Sequence, residues 1–313
     1  KIMFVNMKGA ILRELRLHDT VLSGEQLSAM LGVSRVSIWK HIHKLRELGY
    51  EIRISPNGYE LINTPDVIYP WEFPNRESKI IYYPEVPSTM DIAKQMARKQ
   101  CPEFTVVIAD CQTKGRGRLN REWLSETGGL YFTMVLRPQI PLQFSSRINF
   151  LASLTLAHIL RDMFQIEAMV KWPNDILVNG CKVSGMLSEL EAEAERILFI
   201  NIGMGINVNN DPSRDEPAAS SLKLITGKEI SRKELLSRFL DEFEFQMKNA
   251  DLDTIISEWK DVAITLNRHV RIVTNTEESQ GIAVDVDENG ALVLKLADGT
   301  YKKIVYGDCF HQA

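Results

Sequence analysis

Over the first sixty residues, apolar positions recur at helical spacing and then switch to alternation. Ile11, Leu12 and Leu15 mark one face of a helix ending near His18. Ser23 followed by Gln26 has capping-box spacing and opens a short helix through Leu31, after which Gly32 permits a tight turn. Ser34 caps a third helix, in which Ile38, Ile42 and Leu45 face inward, and Gly49 takes the usual position just past its end. Two short alternating runs follow, Tyr50–Ser55 and Tyr59–Ile62, split by Pro56-Asn57-Gly58, a strong hairpin signal. Helix, helix, turn, helix and hairpin predict a winged helix-turn-helix domain over residues 1–63. With Ile38, Ile42 and Leu45 inward, Ser37, Lys40 and Lys44 form an exposed stripe, with Ser34 and Arg35 at the helix start. Hydroxyl and cationic groups so placed suit DNA bases and phosphates. The alternative is a solvated helix face on a protein-interaction module. His41 and His43 fall on different faces and make no metal pair.

Residues 64–78 hold Pro65, Pro70 and Pro74 with little periodicity and predict a linker. Over residues 79–266 strands and helices mix. Strands are expected near Ile80–Tyr83, Thr105–Cys111, Tyr131–Arg137, Met169–Leu177 and Ile197–Val208, and helices over Ile148–Phe164, Ser231–Lys248 and Asp251–Leu266. Residues 267–313 change character. Val270–Val273, Gly281–Val286, Leu292–Leu296 and Lys302–Val305 read as short strands around Asp287-Glu288-Asn289-Gly290 and Asp298-Gly299, the pattern of a small SH3-like β-barrel.

Composition narrows the class. With 313 residues, 44% hydrophobic and 25% charged, this is a soluble globular chain of more than one domain. Apolar runs such as Ile197–Ile202 are too short to span a bilayer, and Lys1–Met7 lacks the apolar core and cleavage site of a signal peptide. No membrane association and a cytoplasmic location are expected. Cys101, Cys111, Cys181 and Cys309 are scattered without ligand spacing, as reduced thiols would be, and Cys181 reads as a buried small hydrophobe. The net charge of −4 is uneven: residues 1–62 carry nine Lys and Arg against six Asp and Glu, leaving −7 for the rest. A mildly basic end on an acidic body fits a nucleic-acid-binding module attached to something else.

Two segments carry the chemistry. Gln112-Thr113-Lys114-Gly115-Arg116-Gly117-Arg118-Leu119-Asn120-Arg121 places four cations and two glycines directly after a strand. Glycines let the backbone approach a ligand, successive N–H groups form an anion nest, and arginine supplies forked donors. It is neither a P-loop nor a Rossmann fingerprint, and a mobile basic surface loop is the competing reading. The second segment is Lys171-Trp172-Pro173-Asn174-Asp175, followed by Lys182-Val183-Ser184-Gly185-Met186. Lysines beside core strands must be paired or bind an anion, so a structural salt bridge from Asp175 to one of them competes with a ligand role.

Together with Trp123, Ser88-Thr89 and Gly203-Met204-Gly205-Ile206-Asn207, these segments resemble, in order, the signature of biotin–protein ligases. With the winged helix in front and the barrel behind, the chain resembles the family's bifunctional ligase–repressors from end to end. That resemblance implies an α+β chain whose central domain is a mixed sheet with flanking helices, akin to class II aminoacyl-tRNA synthetases. It implies ATP-dependent activation of biotin to biotinyl-5′-AMP with Mg²⁺, and transfer to a lysine of a biotin carboxyl carrier domain. It further implies a homodimer that binds operator DNA when filled with adenylate. Carried over by position, Ser88, Thr89, Gln112, Gly115, Arg116, Lys182 and Gly185 would contact biotin. Arg118, Trp123, Lys171, Asn174 and Asn207 would contact ATP or the adenylate. Lys182, Arg116, Arg118 and Asp175 would be catalytic, with Asp175 orienting Mg²⁺ or the acceptor lysine. Leu119-Asn120 departs from the commoner Arg-Gly, and Met90 stands where many relatives have Asn. A lipoate–protein ligase and a non-catalytic biotin- or nucleotide-sensing regulator are the rival readings.

Overall fold

A computed structural model describes residues 6–18 and 20–312, and the chain divides into two compact units, residues 1–78 and 79–313. In the first unit, α1 (Met7–Leu17), α2 (Gly24–Leu31) and α3 (Arg35–Glu47) precede a hairpin of β1 (Glu51–Ser55) and β2 (Gly58–Asn63). Ser23 and Gln26 form the reciprocal capping box, Gly32 ends α2 at φ 66°, and the Ser34 side chain accepts from Ser37 N–H. Ile38, Ile42 and Leu45 pack on Ile11, Leu12, Leu15 and Leu27, with Tyr50, Ile52 and Tyr59 closing the core. Gly58, at φ 138°, is where only glycine fits: a Cβ there would lie 2.2 Å from the Leu22 carbonyl oxygen.

Residues 64–78, expected to be a linker, are instead folded onto this unit. Arg16 pairs with Glu72 at 2.9 Å, Trp71 Nε1 donates to the Tyr50 hydroxyl at 2.9 Å, and Val67, Tyr69 and Trp71 pack against the core. Burial and the neighbouring Glu72 push the Tyr50 hydroxyl well above the ordinary phenol range. The apolar residues between the prolines decide this segment, not the prolines.

The second unit is built on a seven-stranded sheet. Its elements in chain order are β3 (Ile80–Val86), α4 (Thr89–Arg98), β4 (Thr105–Gln112), β5 (Leu130–Leu136), α5 (Ser145–Phe164), β6 (Ala168–Lys171), β7 (Asp175–Val178), β8 (Cys181–Glu193), β9 (Arg196–Ile206), α6 (Leu222–Thr226), α7 (Arg232–Asn249) and α8 (Ile255–Asp261). The strand order is β3-β4-β5-β9-β8-β7-β6, with β3–β4 parallel and every other pair antiparallel. Helix α4 covers one face through Ala93 and Ala97 on Val107, Val135 and Phe199, while Phe239 of α7 meets Phe132 at 5.7 Å. Val135 and Phe132 have opposite parity on β5, so helices lie on both faces.

A five-stranded antiparallel sheet completes the unit: β10 (His269–Val273), β11 (Glu278–Val286), β12 (Leu292–Lys295), β13 (Tyr301–Ile304) and β14 (Asp308–His311), in the order β13-β12-β11-β10-β14. Trp172, 1% exposed, ties the two sheets together by donating Nε1–H to the Gly290 carbonyl at 3.0 Å.

Other expectations change as well. Met169–Leu177 is not one strand but the β6–β7 hairpin, with Lys171 opposite Asp175. Pro173, without an N–H, sits in the turn where no ladder bond is needed. Of Asp251–Leu266 only Ile255–Asp261 is helical, because the chain then joins the sheet edge: Val170 N–H bonds the Val262 carbonyl at 3.0 Å and Ile264 N–H bonds that of Val170 at 2.8 Å. Helices α4 and α6 and strands β8 and β14 have no counterpart among the expected elements. Cys181 is half-buried rather than buried.

Candidate active site

The glycine–arginine loop starts where β4 ends, and two backbone bonds pinch its base. Gln112 N–H donates to the Ser125 carbonyl at 3.2 Å, and Trp123 N–H to that of Gly115 at 2.9 Å. Gly115 lies in this pinch and not on a ligand-facing wall: a Cβ there would sit 2.3 Å from Trp123 O and 2.6 Å from Ser125 Oγ. The loop overhangs a cleft of about 480 Å³ on the sheet, walled by β8, β9, the β6–β7 turn and β14. Ser88, Thr89, Gln112, Arg116, Arg118, Trp123, Lys171, Asn174, Asp175, Lys182, Gly185 and Asn207 all line it. Gly115 is the single sequence-derived ligand position outside that lining.

The floor is shaped by missing side chains. The Trp123 indole lies over Gly185 and Gly205, so that a Cβ on Gly205 would come within 2.3 Å of its Nε1 and one on Gly185 within 2.9 Å of its ring. Trp123 Nε1 is buried without a hydrogen-bond partner, and Lys182 Nζ stands 5.1 Å from the ring centroid.

One end of the cleft is a neutral polar network. Thr89 donates both its N–H and its hydroxyl to Gln112 Oε1, at 2.8 and 3.0 Å, and its hydroxyl lies 2.9 Å from that of Thr133. Gln112 Nε2 donates to Ser125 Oγ at 2.9 Å. A glutamine held at both ends has its amide oriented before any ligand arrives, which suits an uncharged hydrogen-bonding ring. Buried Met90 adds an apolar edge there.

The other end is cationic. Lys182 Nζ pairs with Asp175 Oδ1 at 2.9 Å across β7 and β8, the salt bridge that the spacing of the two segments allows. Arg118 donates to the Gly307 carbonyl at 2.7 Å and to Asn174 Oδ1 at 3.3 Å. Burial pulls the Arg118 guanidinium below its ordinary pKa, and Asp308 and Asp175 oppose that shift. Arg116 turns toward Asp91 and, at 3.4 Å, Glu189, so its charge is committed to carboxylates. Asn207, 3% exposed, accepts from Asn210.

Strand β14 supplies the wall that the sequence did not announce. Arg121 of the loop pairs with Asp308 at 2.7 Å, and Arg121 and Arg271 flank the Phe310 ring at 5.3 and 4.7 Å. Burial pushes the Cys309 thiol up to about 12, so it is no nucleophile at neutral pH. Burial, with Lys171 and Arg268 nearby, lowers His311 to about 4. Among the described residues no group of three His, Cys, Asp or Glu side chains is placed to hold a metal ion.

Charged at one end, neutral and polar at the other, with a glycine floor between, this cleft fits a long ligand bearing a phosphate. The sequence relatives agree. Residues 82–207 match the biotin/lipoate A/B protein ligase family, residues 9–60 a helix-turn-helix domain, and residues 265–312 the biotin protein ligase C-terminal domain. The bifunctional ligase/repressor BirA of Bacillus subtilis is 35% identical over 303 residues, covering 92% of this chain and 93% of that protein. The chain belongs to the bifunctional biotin–protein ligase/repressor family. Its Escherichia coli member is 28% identical over 91% of both chains. The biotin protein ligase of Aquifex aeolicus, solved with biotin and ATP, superposes with a TM-score of 0.63 at 29% identity, covering 75% of this chain and 98% of that one. In this ligase/repressor the winged-helix residues Ser34, Arg35, Ser37, Lys40 and Lys44 belong to the first unit. Ser34, Arg35, Lys40 and Lys44 are exposed and Ser37 is half-buried. No helix among the described residues is long and apolar enough to cross a membrane.

Proposed function

We propose that the cleft condenses biotin with MgATP to biotinyl-5′-AMP and passes the biotinyl group to a lysine of a biotin carboxyl carrier domain. The observation carrying this reading is the polarity of the cleft: an oriented Thr89–Gln112 network at one end, and Lys182, Arg118 and Lys171 at the other.

The chemistry asks for this division. A carboxylate must attack a phosphorus that is itself surrounded by negative oxygens, and fixed cations lower that barrier without reacting. Thr89 and Gln112 hold the ring of biotin; Lys182 stands where carboxylate and α-phosphate would meet; Arg118 and Lys171 face the phosphates. Asp175 keeps the Lys182 ammonium aimed into the cleft and is the carboxylate that would meet Mg²⁺ brought with ATP. Trp123 and the loop cover the acyl phosphate and exclude water, which would otherwise hydrolyse the anhydride. The amine of the acceptor lysine then attacks the acyl carbon and AMP leaves, so no enzyme nucleophile is needed, in keeping with a protonated Cys309.

The first unit is the DNA-binding half of a repressor acting as a homodimer on an operator when adenylate is bound. Its support is the capped helix α3, which carries Arg35, Lys40 and Lys44 outward. Incubation with MgATP, biotin and an isolated carrier domain, read by mass spectrometry, tests the ligase reading: one biotinyl group on one lysine is expected, and an unmodified carrier would refute it.

A further inference from the structure

The outward side of α3 is not uniformly polar. Val36 is 63% exposed and Trp39 51%, while Ile38, Ile42 and Leu45 bury the opposite side. One turn of helix separates Val36 from Trp39, so they form a single apolar patch. Trp39 is steadied by His43, with ring centroids 4.2 Å apart. Single exposed apolar residues are ordinary, but this patch lies amid cations: Arg35 precedes it, and Lys40 and Lys44 run alongside. Among the described residues none of these three cations makes an ion pair, whereas Arg53 on the wing is already paired with Glu60 at 2.9 Å.

With Ser34 as the cap, Val36 is the second residue of the helix, and the first residues of a recognition helix are those that reach base edges. An apolar side chain among phosphate-seeking cations has one apolar partner in the major groove, the 5-methyl group of thymine. We infer that Val36, with Trp39 one turn further on, reads thymine methyl groups and so sets the sequence preference of the first unit. Arg35, Lys40 and Lys44 supply affinity that is blind to sequence. The inference rests on the first unit being a DNA-binding module.

Charge complementarity favours a duplex over an apolar protein partner, because three unpaired cations would be costly to desolvate against anything uncharged.

The test uses the full chain with biotin and MgATP. Duplexes retained from a random pool are sequenced, and each thymine of the preferred site is replaced in turn by uracil, which removes only the methyl group. Wild-type binding should weaken about fourfold at one or two thymines, the effect of one methyl carbon losing an apolar contact. Val36→Ser should abolish the sensitivity at one of them while leaving the salt dependence of binding unchanged. Trp39→Ala should do so at a neighbouring position. Because Val36 is exposed, its replacement should leave the first unit folded, and an unchanged thermal midpoint together with retained binding of non-specific duplex serves as the control that this unit is intact. Binding indifferent to uracil at every position, or undiminished uracil sensitivity in both variants, would overturn the inference while leaving DNA binding in place. A chain that retains no duplex would overturn the DNA-binding reading and this one with it.

Discussion

Lys182 has a carboxylate 2.9 Å away and an indole face at 5.1 Å, and neither fully claims it. From its spacing it is either a structural partner of Asp175 or an anion ligand; the ion pair is made, and the same ammonium lines the cleft. A partly exposed pair of this kind contributes about 0–1 kcal/mol to stability, so on the proposed reading a phosphate would compete with Asp175 for the ammonium at little cost. Lys182→Met should therefore leave the thermal midpoint nearly unchanged and slow adenylate formation by roughly 10²–10³-fold, measured as biotin-dependent pyrophosphate exchange. An equal loss of folding and exchange would make Lys182 structural. Arg116 differs: its place in Gly115-Arg116-Gly117-Arg118 suggests a ligand contact, and its guanidinium pairs with Asp91 and Glu189, 25 and 73 positions away in sequence. Only the folded sheet brings those carboxylates near.

At the scale of elements, the loop and β14 act together. Arg118 reaches the Gly307 carbonyl and Arg121 reaches Asp308, so the cover over the cleft is latched to the last strand. Arg121→Ala and Asp308→Asn should each speed proteolytic cutting within residues 114–127, and the double variant should be no worse than the singles, since both break one contact. Additive effects would deny the latch. Leu119, at φ 51°, occupies the left-handed region inside this loop. Strand β14 also carries a pH dependence. With His311 lowered to about 4, the unfolded chain binds more protons than the folded one between pH 4 and 6.5. Stability should thus fall as pH drops through that window and be flat above it, and urea midpoints for wild type and His311→Asn check it; an identical slope in both would remove His311 as the cause.

None of β14 was legible, because Asp308-Cys309-Phe310-His311 lacks an alternating run and pairs with β10, far back in the chain. Helix α4 was legible in principle: Met90, Ala93 and Ala97 keep helical spacing, though small side chains give a faint signal. The capped helices and the Asn57-Gly58 hairpin were fully legible, since local chemistry alone determines them.

For the whole molecule, the charge asymmetry narrows at the true boundary: residues 1–78 carry ten Lys and Arg against nine Asp and Glu, leaving −5 for the second unit. The division falls at residue 78 and not 63, because Glu72 pairs with Arg16 and Trp71 bonds Tyr50 within the first unit. Deleting residues 1–78 should remove DNA retention and leave pyrophosphate exchange within about twofold of the full chain, a margin of roughly 0.4 kcal/mol in barrier. Retained sequence-specific DNA binding would refute the division. The central claim is that the cleft joins the carboxylate of biotin to the α-phosphate of ATP. Its most direct test is exchange of labelled pyrophosphate into ATP by the full chain, with biotin, with lipoate and with neither. Exchange that depends on biotin and is absent with the other two is the predicted result; exchange supported by lipoate, or none with biotin, would contradict it.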